Sequence, residues 1–374
     1  RWTKLKETLH DKDKLFKNSG ERDLSVSGIN LTTQEPLQAI SHEFLSTKSV
    51  RYGYRSFDRQ YAFPDSRVCD RPRPPLWDSV SDNQLYFCTL SSPSPLGSGP
   101  ALTVSPYVPD LHYFRGSFGA KNISPLYRTS SRNEPNVSAS LLRTLTNKYQ
   151  NSIAAEEVAK YVFGLLGTGA YTAKYFEELI ETSIRVPFTA SYPLFQEVAE
   201  FGEKLIFEQT WGERFTGELN QFGQPTRHRF AGQAKLEQAV TPTDYPETWG
   251  YNSETQELTV GDGIFSSVPK SVMSYSVSGL PVVSSWLGYR MKSPAGRSSS
   301  PLDKIQADRW SFDRDLLELL WQVEFFVASE STGEHLLNKV TTEKIIAFKN
   351  FVEPTPAEKK EPAKKKISYE ETIF

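Results

Sequence analysis

Arginine is the residue type whose placement in this chain could do chemistry. Residues 51–77 carry Arg51, Arg55, Arg59, Arg67, Arg71 and Arg73 against Asp58, Asp65 and Asp70, a local surplus of three positive charges. Residues 110–148 carry Arg115, Lys121, Arg128, Arg132, Arg143 and Lys148 against Asp110 and Glu134, and residues 286–310 carry Arg290, Lys292, Arg297, Lys304 and Arg309 against Asp303 and Asp308. Guanidinium forks grip phosphate or guanine through paired hydrogen bonds, and the glycines and serines among them let backbone N–H groups approach an anionic strand. Two readings fit the first island equally: contact with duplex DNA, or an internal scaffold in which its arginines and aspartates pair while its aromatics fill a core. The other two islands hold fewer acids and favour contact. Arg115, Lys121, Arg128, Tyr289, Arg290 and Arg297 are therefore the expected DNA contacts, with Arg55 and Arg59 divided between contact and support.

Other chemistries find little purchase. The glycine-rich run Gly164–Gly169 lacks the preceding strand that a dinucleotide loop requires and reads as a helix–helix turn. No G-x-x-x-x-G-K-[ST] phosphate loop and no G-x-S-x-G elbow occurs. Arg73-Pro74-Pro75-Leu76 is not the Asn/Asp-Pro-Pro-aromatic loop that adenine methylation needs. His10, His42, His112, His228 and His335 have no partner at metal-ligand spacing, and Cys69 and Cys88 cannot build a zinc site or a disulfide framework. Scattered acids such as Asp65 leave open a dispersed metal-dependent nuclease, although a two-metal site needs several converging carboxylates. No catalytic residue, metal or cofactor is assigned to this chain.

The 374 residues divide into two or three packed lobes, and a net charge of −2 means that any polyanion affinity is local. Two cysteines fit a reducing cytoplasm, and no apolar run is long enough to span a membrane. Arg1 stands where an initiator would, so the chain reads as a piece of a longer polypeptide. Strands are expected near Val50–Tyr54, Leu85–Leu90 and Ala101–Val104. Asn151-Ser152 is positioned to cap a helix through Leu166, with Ala170-Tyr171 opening a second, antiparallel one and a third running from Tyr192 to about Gln209. Two strands flank the Gly261–Gly263 turn, one or two more follow within residues 271–289, and Asp313 caps a buried helix. After Phe351 the proline- and lysine-rich tail is expected to be disordered. The fold class is α+β, with mixed short-stranded sheets, an inserted helical lobe and a buried C-terminal helix. Its divisions are a linker or the tail of a preceding domain over residues 1–48, a strand-and-loop recognition lobe over 49–150, a helical lobe over 151–215, a second strand-rich lobe over 216–330 and an extension over 331–374.

The stretch RYGYRSFDRQYAFPDSRVCDRPRPPLW resembles the entry to the target-recognition region of large DNA adenine methyltransferases, where a Tyr-Arg-x-Phe-Asp-x-Arg core is typical. With DLHYFRGSFGAKNISPLYR, RVPFTASYPLFQEVAEFGEKL followed by WGERF, and VSGLPVVSSWLGYRMKSPAGRSSSPLD, residues 49–330 resemble the C-terminal specificity domain of type ISP restriction-modification enzymes. Related full-length enzymes join a nuclease, a helicase-like motor, a coupler and an adenine-N6 methyltransferase using S-adenosylmethionine to this module, so the resemblance implies such domains upstream, with a restriction enzyme and a methylation-based phage-defence protein both open as the host. The partners implied are duplex DNA and those upstream domains. The chain departs from the pattern at Ser56, where many relatives carry Pro, and in its lysine tail. A nucleic-acid-processing enzyme with a dispersed acidic site and a protein-docking structural module are the alternative functions.

Overall fold

In the computed structural model the described residues are 49–63, 73–90, 96–116, 122–130, 134–218, 220–222, 224–243, 245–295 and 306–360. Along the chain these form β1 (Val50–Arg55), β2 (Asp58–Ala62), α1 (Pro74–Asp78), β3 (Tyr86–Thr89), β4 (Thr103–Ser105) and β5 (Asn122–Pro125). Five helices follow: α2 (Ala139–Tyr149), α3 (Ala155–Leu166), α4 (Gly169–Lys174), α5 (Phe176–Glu181) and α6 (Tyr192–Gln209). Then come β6 (Lys235–Gln238), β7 (Trp249–Asn252), β8 (Glu257–Val260), β9 (Gly263–Ser266), α7 (Lys270–Ser274), β10 (Ser276–Val277), β11 (Leu280–Pro281) and α8 (Val282–Gly288). The chain closes with α9 (Asp313–Thr342), a 3-10 turn (Phe348–Asn350) and α10 (Pro356–Lys359). The α+β expectation holds: small antiparallel sheets, ordered β4-β3-β5 and β6-β9-β8-β7, and two hairpins share the chain with helices.

Two helices carry the core. α3 buries Val158, Tyr161, Phe163 and Leu165 and packs on α6, which buries Leu194, Phe195, Val198 and Leu205, with Tyr161 stacked on Phe195. The two backbones approach closely because glycines face each other. A Cβ on Gly202 would stand 1.9 Å from the Lys160 carbonyl oxygen, and one on Gly164 would stand 2.3 Å from that of Val198. α9, thirty residues long, buries Leu316, Leu319, Leu320, Val323, Phe326, Leu336, Leu337 and Val340 at helical spacing and packs against α3, α4, α6 and α7.

Several local expectations change. α3 begins at Ala155 behind Ala154, and Glu157 reaches back to the Ala154 N–H at 2.8 Å, so Asn151 and Ser152 lie outside the cap. The stretch expected as a second long helix breaks at Tyr175 into α4 and α5, and α6, not this pair, is the main partner of α3. Residues 271–289 hold two helices and two strands of two residues each. Asp313 is the first helical residue of α9 rather than its cap, and its carboxylate accepts from the Val240 N–H at 3.1 Å. α9 also runs without interruption through the expected lobe boundary at residue 330. The run Gly164–Gly169 joins two helices with no strand before it, as expected, although Gly164–Leu166 belong to the end of α3 and the turn itself is Gly167-Thr168.

The largest departure is at the C-terminal end. Residues 352–360, expected to be disordered, form a strap on α2. The Ser140 hydroxyl donates to the Val352 carbonyl at 2.9 Å, and the Glu358 carboxylate accepts from the Ala139 N–H at 2.9 Å and from Thr355. Residues 361–374, the rest of that expected tail, lie outside the described residues. Among the described residues no helix is long and apolar enough to cross a membrane.

Two outcomes test this packing. Gly202→Ala raises helix propensity yet is expected to destabilise the chain by about 1–3 kcal/mol through overpacking, read as a lower urea midpoint. Hydrogen bonds from the Thr355 backbone and hydroxyl and from the Ala139 N–H hold the Glu358 carboxyl down at about 2, below its ordinary range. The strap contribution is therefore complete above the ordinary carboxyl range and fades as pH falls through about 2, so acid should raise amide exchange over residues 352–360, and Glu358→Gln should abolish that dependence.

Candidate nucleic-acid interface

The R-S-F-D-R segment forms the tip of the β1–β2 hairpin, and each of its residues faces a different part of the fold. In the strand register the backbone of Arg55 lies opposite that of Asp58, so Ser56 and Phe57 make the turn, and Phe57 takes the left-handed φ of 64°. Its buried ring fixes that conformation, edge-on to Phe326 at 5.0 Å and to Tyr275 at 5.7 Å. Ser56 donates its N–H to the Tyr113 carbonyl at 2.7 Å and its hydroxyl to that of Phe114 at 3.0 Å. Proline at this position would lack that N–H.

The charged members of the turn pair with distant residues rather than with one another. Asp58 receives two hydrogen bonds from Arg290, at 2.7 and 3.1 Å, and the two side chains are only 3% and 7% exposed. The Arg290 guanidinium also donates to the Trp286 carbonyl at 3.0 Å and lies 3.7 Å from the Trp286 ring centre. Arg55 bonds Asp110 at 2.8 Å while its guanidinium stacks over Tyr54 and faces Tyr289; burial pushes the Tyr54 hydroxyl well above its ordinary value. Arg59 lies between Glu213 at 3.4 Å and Glu318 at 3.6 Å, over the Trp211 ring.

The expected contacts thus separate into groups. Arg55, Arg59, Tyr289 and Arg290 converge on the hairpin, and the three guanidiniums among them are engaged within the protein. Arg115 donates to the Ser278 hydroxyl at 3.2 Å. Arg128 lies elsewhere, bonded to Glu134 at 3.1 Å, to the Glu358 carbonyl at 2.7 Å and to the Lys360 carbonyl, where it anchors the strap. Lys121 and Arg297 lie outside the described residues. For the first island the internal-scaffold reading describes Arg55 and Arg59; for the third, the expectation of outward contact gives way at Arg290 to a buried pair.

A cleft of about 620 Å³ opens beside the hairpin, lined among others by Arg51, Arg59, Tyr61, Trp211 and Tyr289 and by the acids Asp315 and Glu318, the last of them paired with Arg59. Arg51 and Tyr61 are cross-strand partners, the guanidinium sits 4.3 Å from the ring centre, and Tyr61 remains 60% exposed. Tyr107 stacks on Trp211 at 6.3 Å, and burial together with Glu213 pushes its hydroxyl up to about 12. Arg51 belongs to the first basic island; Tyr61 and Trp211 lie within stretches that carry the family resemblance, but nothing in the sequence singled them out as contacts. Their role depends on a strand pairing and on a left-handed φ of 55° at Trp211.

This arrangement can present cations and ring faces to a polyanion and its bases. Among the described residues no group of three or more His, Cys, Asp or Glu is placed to hold a metal ion. Cys88 is buried, and burial holds its thiol well above its ordinary value, away from nucleophilic chemistry.

Removing half of a buried pair strands the other charge. Asp58→Ala is expected to cost about 3–5 kcal/mol in urea unfolding, and Asp58→Leu combined with Arg290→Met should cost less.

No curated protein sequence matches the chain. The chain shares its fold with the DrdV–DNA complex seen by cryo-EM, with a TM-score of 0.55 and 16% identity over 82% of this chain and 30% of that one. It also resembles the ATP-dependent type ISP restriction-modification enzyme LlaBIII bound to DNA, with a TM-score of 0.50 and 12% identity over 83% of this chain and 19% of that one. The chain thus spans less than a third of the length of either. Residues 1–321 match the type ISP C-terminal specificity domain, and the chain belongs to that family.

Proposed function

We propose that this chain recognises a short sequence in duplex DNA and positions it for an adenine-N6 methyltransferase upstream in the same polypeptide, a cytoplasmic restriction-modification or phage-defence protein. S-adenosylmethionine would bind that upstream domain. The observation that carries the reading is the family match over residues 1–321. The two solved chains of this fold described above, both DNA complexes, support it.

In this reading the internal ion pairs hold the hairpin rigid so that its outer residues meet the duplex in one register. Arg51 supplies a cation at the hairpin edge, while Tyr61 and Tyr289 supply ring faces. Arg115, Lys121 and Arg297 join Arg51 as proposed phosphate or base contacts. Phosphate contacts set register, and a few side chains at base edges set sequence.

A protein-docking role has its own observation. An apolar groove of about 950 Å³, lined by Leu179, Val186, Phe188 and Phe351 among others, has Ile345, Phe348 and Val352 exposed along it. It lies apart from the hairpin cleft, so the two roles are compatible.

Fluorescence anisotropy of labelled duplex DNA across a salt series tests the DNA reading. The chain should bind more weakly as salt rises, and Arg51→Ala should make the log–log slope shallower by about one. Absence of salt-dependent association overturns the proposal.

A further inference from the structure

We infer that the loop between Gly217 and Thr226 presents Phe222 as an apolar wedge against a base step of duplex DNA, with Gln221 beside it at the base edges. The inference deepens the DNA-recognition reading and rests on it. Phe222 is 77% exposed, yet its loop is tied at every level that the described residues show. The Asn220 side-chain oxygen accepts from the N–H groups of Phe222 at 2.9 Å and Gln224 at 3.0 Å, and the Asn220 N–H donates to the Gln224 carbonyl at 2.8 Å. One level down, the Thr226 N–H and hydroxyl both donate to the Glu218 carbonyl, at 2.9 and 2.8 Å. At the base Arg227 bonds the Phe215 carbonyl and Glu203, each at 2.7 Å. The aromatic ring is thus held out in solvent by a braced support.

The loop also springs from the proposed DNA side. Its outgoing leg starts at Trp211 and Glu213, and its returning leg ends at Arg229, which bonds Glu318 at 3.1 Å. Glu213 and Glu318 are the two carboxylates that flank Arg59, so both legs are fastened at the rim of the hairpin cleft. Between Gly217 and Thr226 the only charged residue is Glu218, and the described tip is amide-rich: Asn220, Gln221 and Gln224.

The surroundings of Phe222 favour nucleic acid over a protein partner. Protein interfaces bury contiguous apolar patches, such as the one around Ile345, Phe348 and Val352. Among the described residues of the loop, Phe222 is the one exposed ring and stands among the neutral amides Asn220, Gln221 and Gln224, which matches the side chains that enter and partly unstack a base step, where amides tolerate the polar groove. Such insertion adds stacking without neutralising phosphate, so its signature is lost affinity with an unchanged salt slope.

The test selects binding sequences for the whole chain from a duplex pool of randomised sequence, then measures Phe222→Ala and Phe222→Leu on the recovered duplex. Because the ring is exposed, both variants should keep the wild-type urea midpoint. The expected result is a loss of about tenfold for Phe222→Ala at unchanged salt slope and a smaller loss for Phe222→Leu. A 2-aminopurine at the contacted step should brighten with wild type and stay dark with Phe222→Ala. Affinity and selected sequence unchanged by Phe222→Ala overturn the wedge while leaving DNA recognition intact, and would turn Phe222 toward a protein surface. Failure of the wild-type chain to bind any duplex overturns both.

Discussion

A buried carboxylate and a buried guanidinium are each costly alone, and the Asp58–Arg290 pair is the point at which the fold commits to a single arrangement. It joins the tip of the β1–β2 hairpin to the segment after α8, 232 residues later, with Trp286 and Phe312 closing over the cation. Trp310 adds to the lock by donating its indole N–H to the Arg290 carbonyl at 3.0 Å. The hairpin cannot slide by one residue without moving Asp58 to the other face and leaving both charges unpaired.

From that fixed point the other residues of the turn set the geometry of the cleft. Phe57 plugs the core against Phe326 of α9, Arg55 holds the segment at Asp110, and Arg59 lies between the carboxylates of Glu213 and Glu318. Three distant segments therefore meet around one short turn. Their arginines act mainly as braces, and the cation–π pair of Arg51 and Tyr61 is left at the outer edge. Among the described residues, arginine in this chain of net charge −2 thus serves structure around the hairpin as much as surface charge.

The strap shows the same use of charge in another part of the chain. Arg128 binds two carbonyls and Glu134, and Glu358 satisfies an N–H at the start of α2, so residues 352–360 are held by directional bonds although almost none of their side chains is buried. Composition alone suggested disorder there because it counts prolines and lysines, and it gives no weight to a single arginine more than 200 residues away in the chain.

The sequence by itself determined the local elements whose hydrophobic period is strong. The helix from Tyr192 to Gln209, the strands around the Gly261–Gly263 turn and the first strand at Val50 all lie where periodicity and turn residues put them. It also carried the resemblance to type ISP specificity domains, because ordered motifs survive in one dimension. What only the tertiary structure decided was the direction in which each charge points. Arg290 and Arg128 stood in basic islands, but Asp58 and the Glu358 carbonyl that they bond are more than 200 residues distant, and no local count distinguishes a guanidinium facing such a partner from one facing solvent. The exposure of Tyr61, Trp211 and Phe222 was not legible for a related reason: Tyr61 and Trp211 stand in quoted motifs, but which way a ring points arises from strand pairing, left-handed backbone and loop bracing.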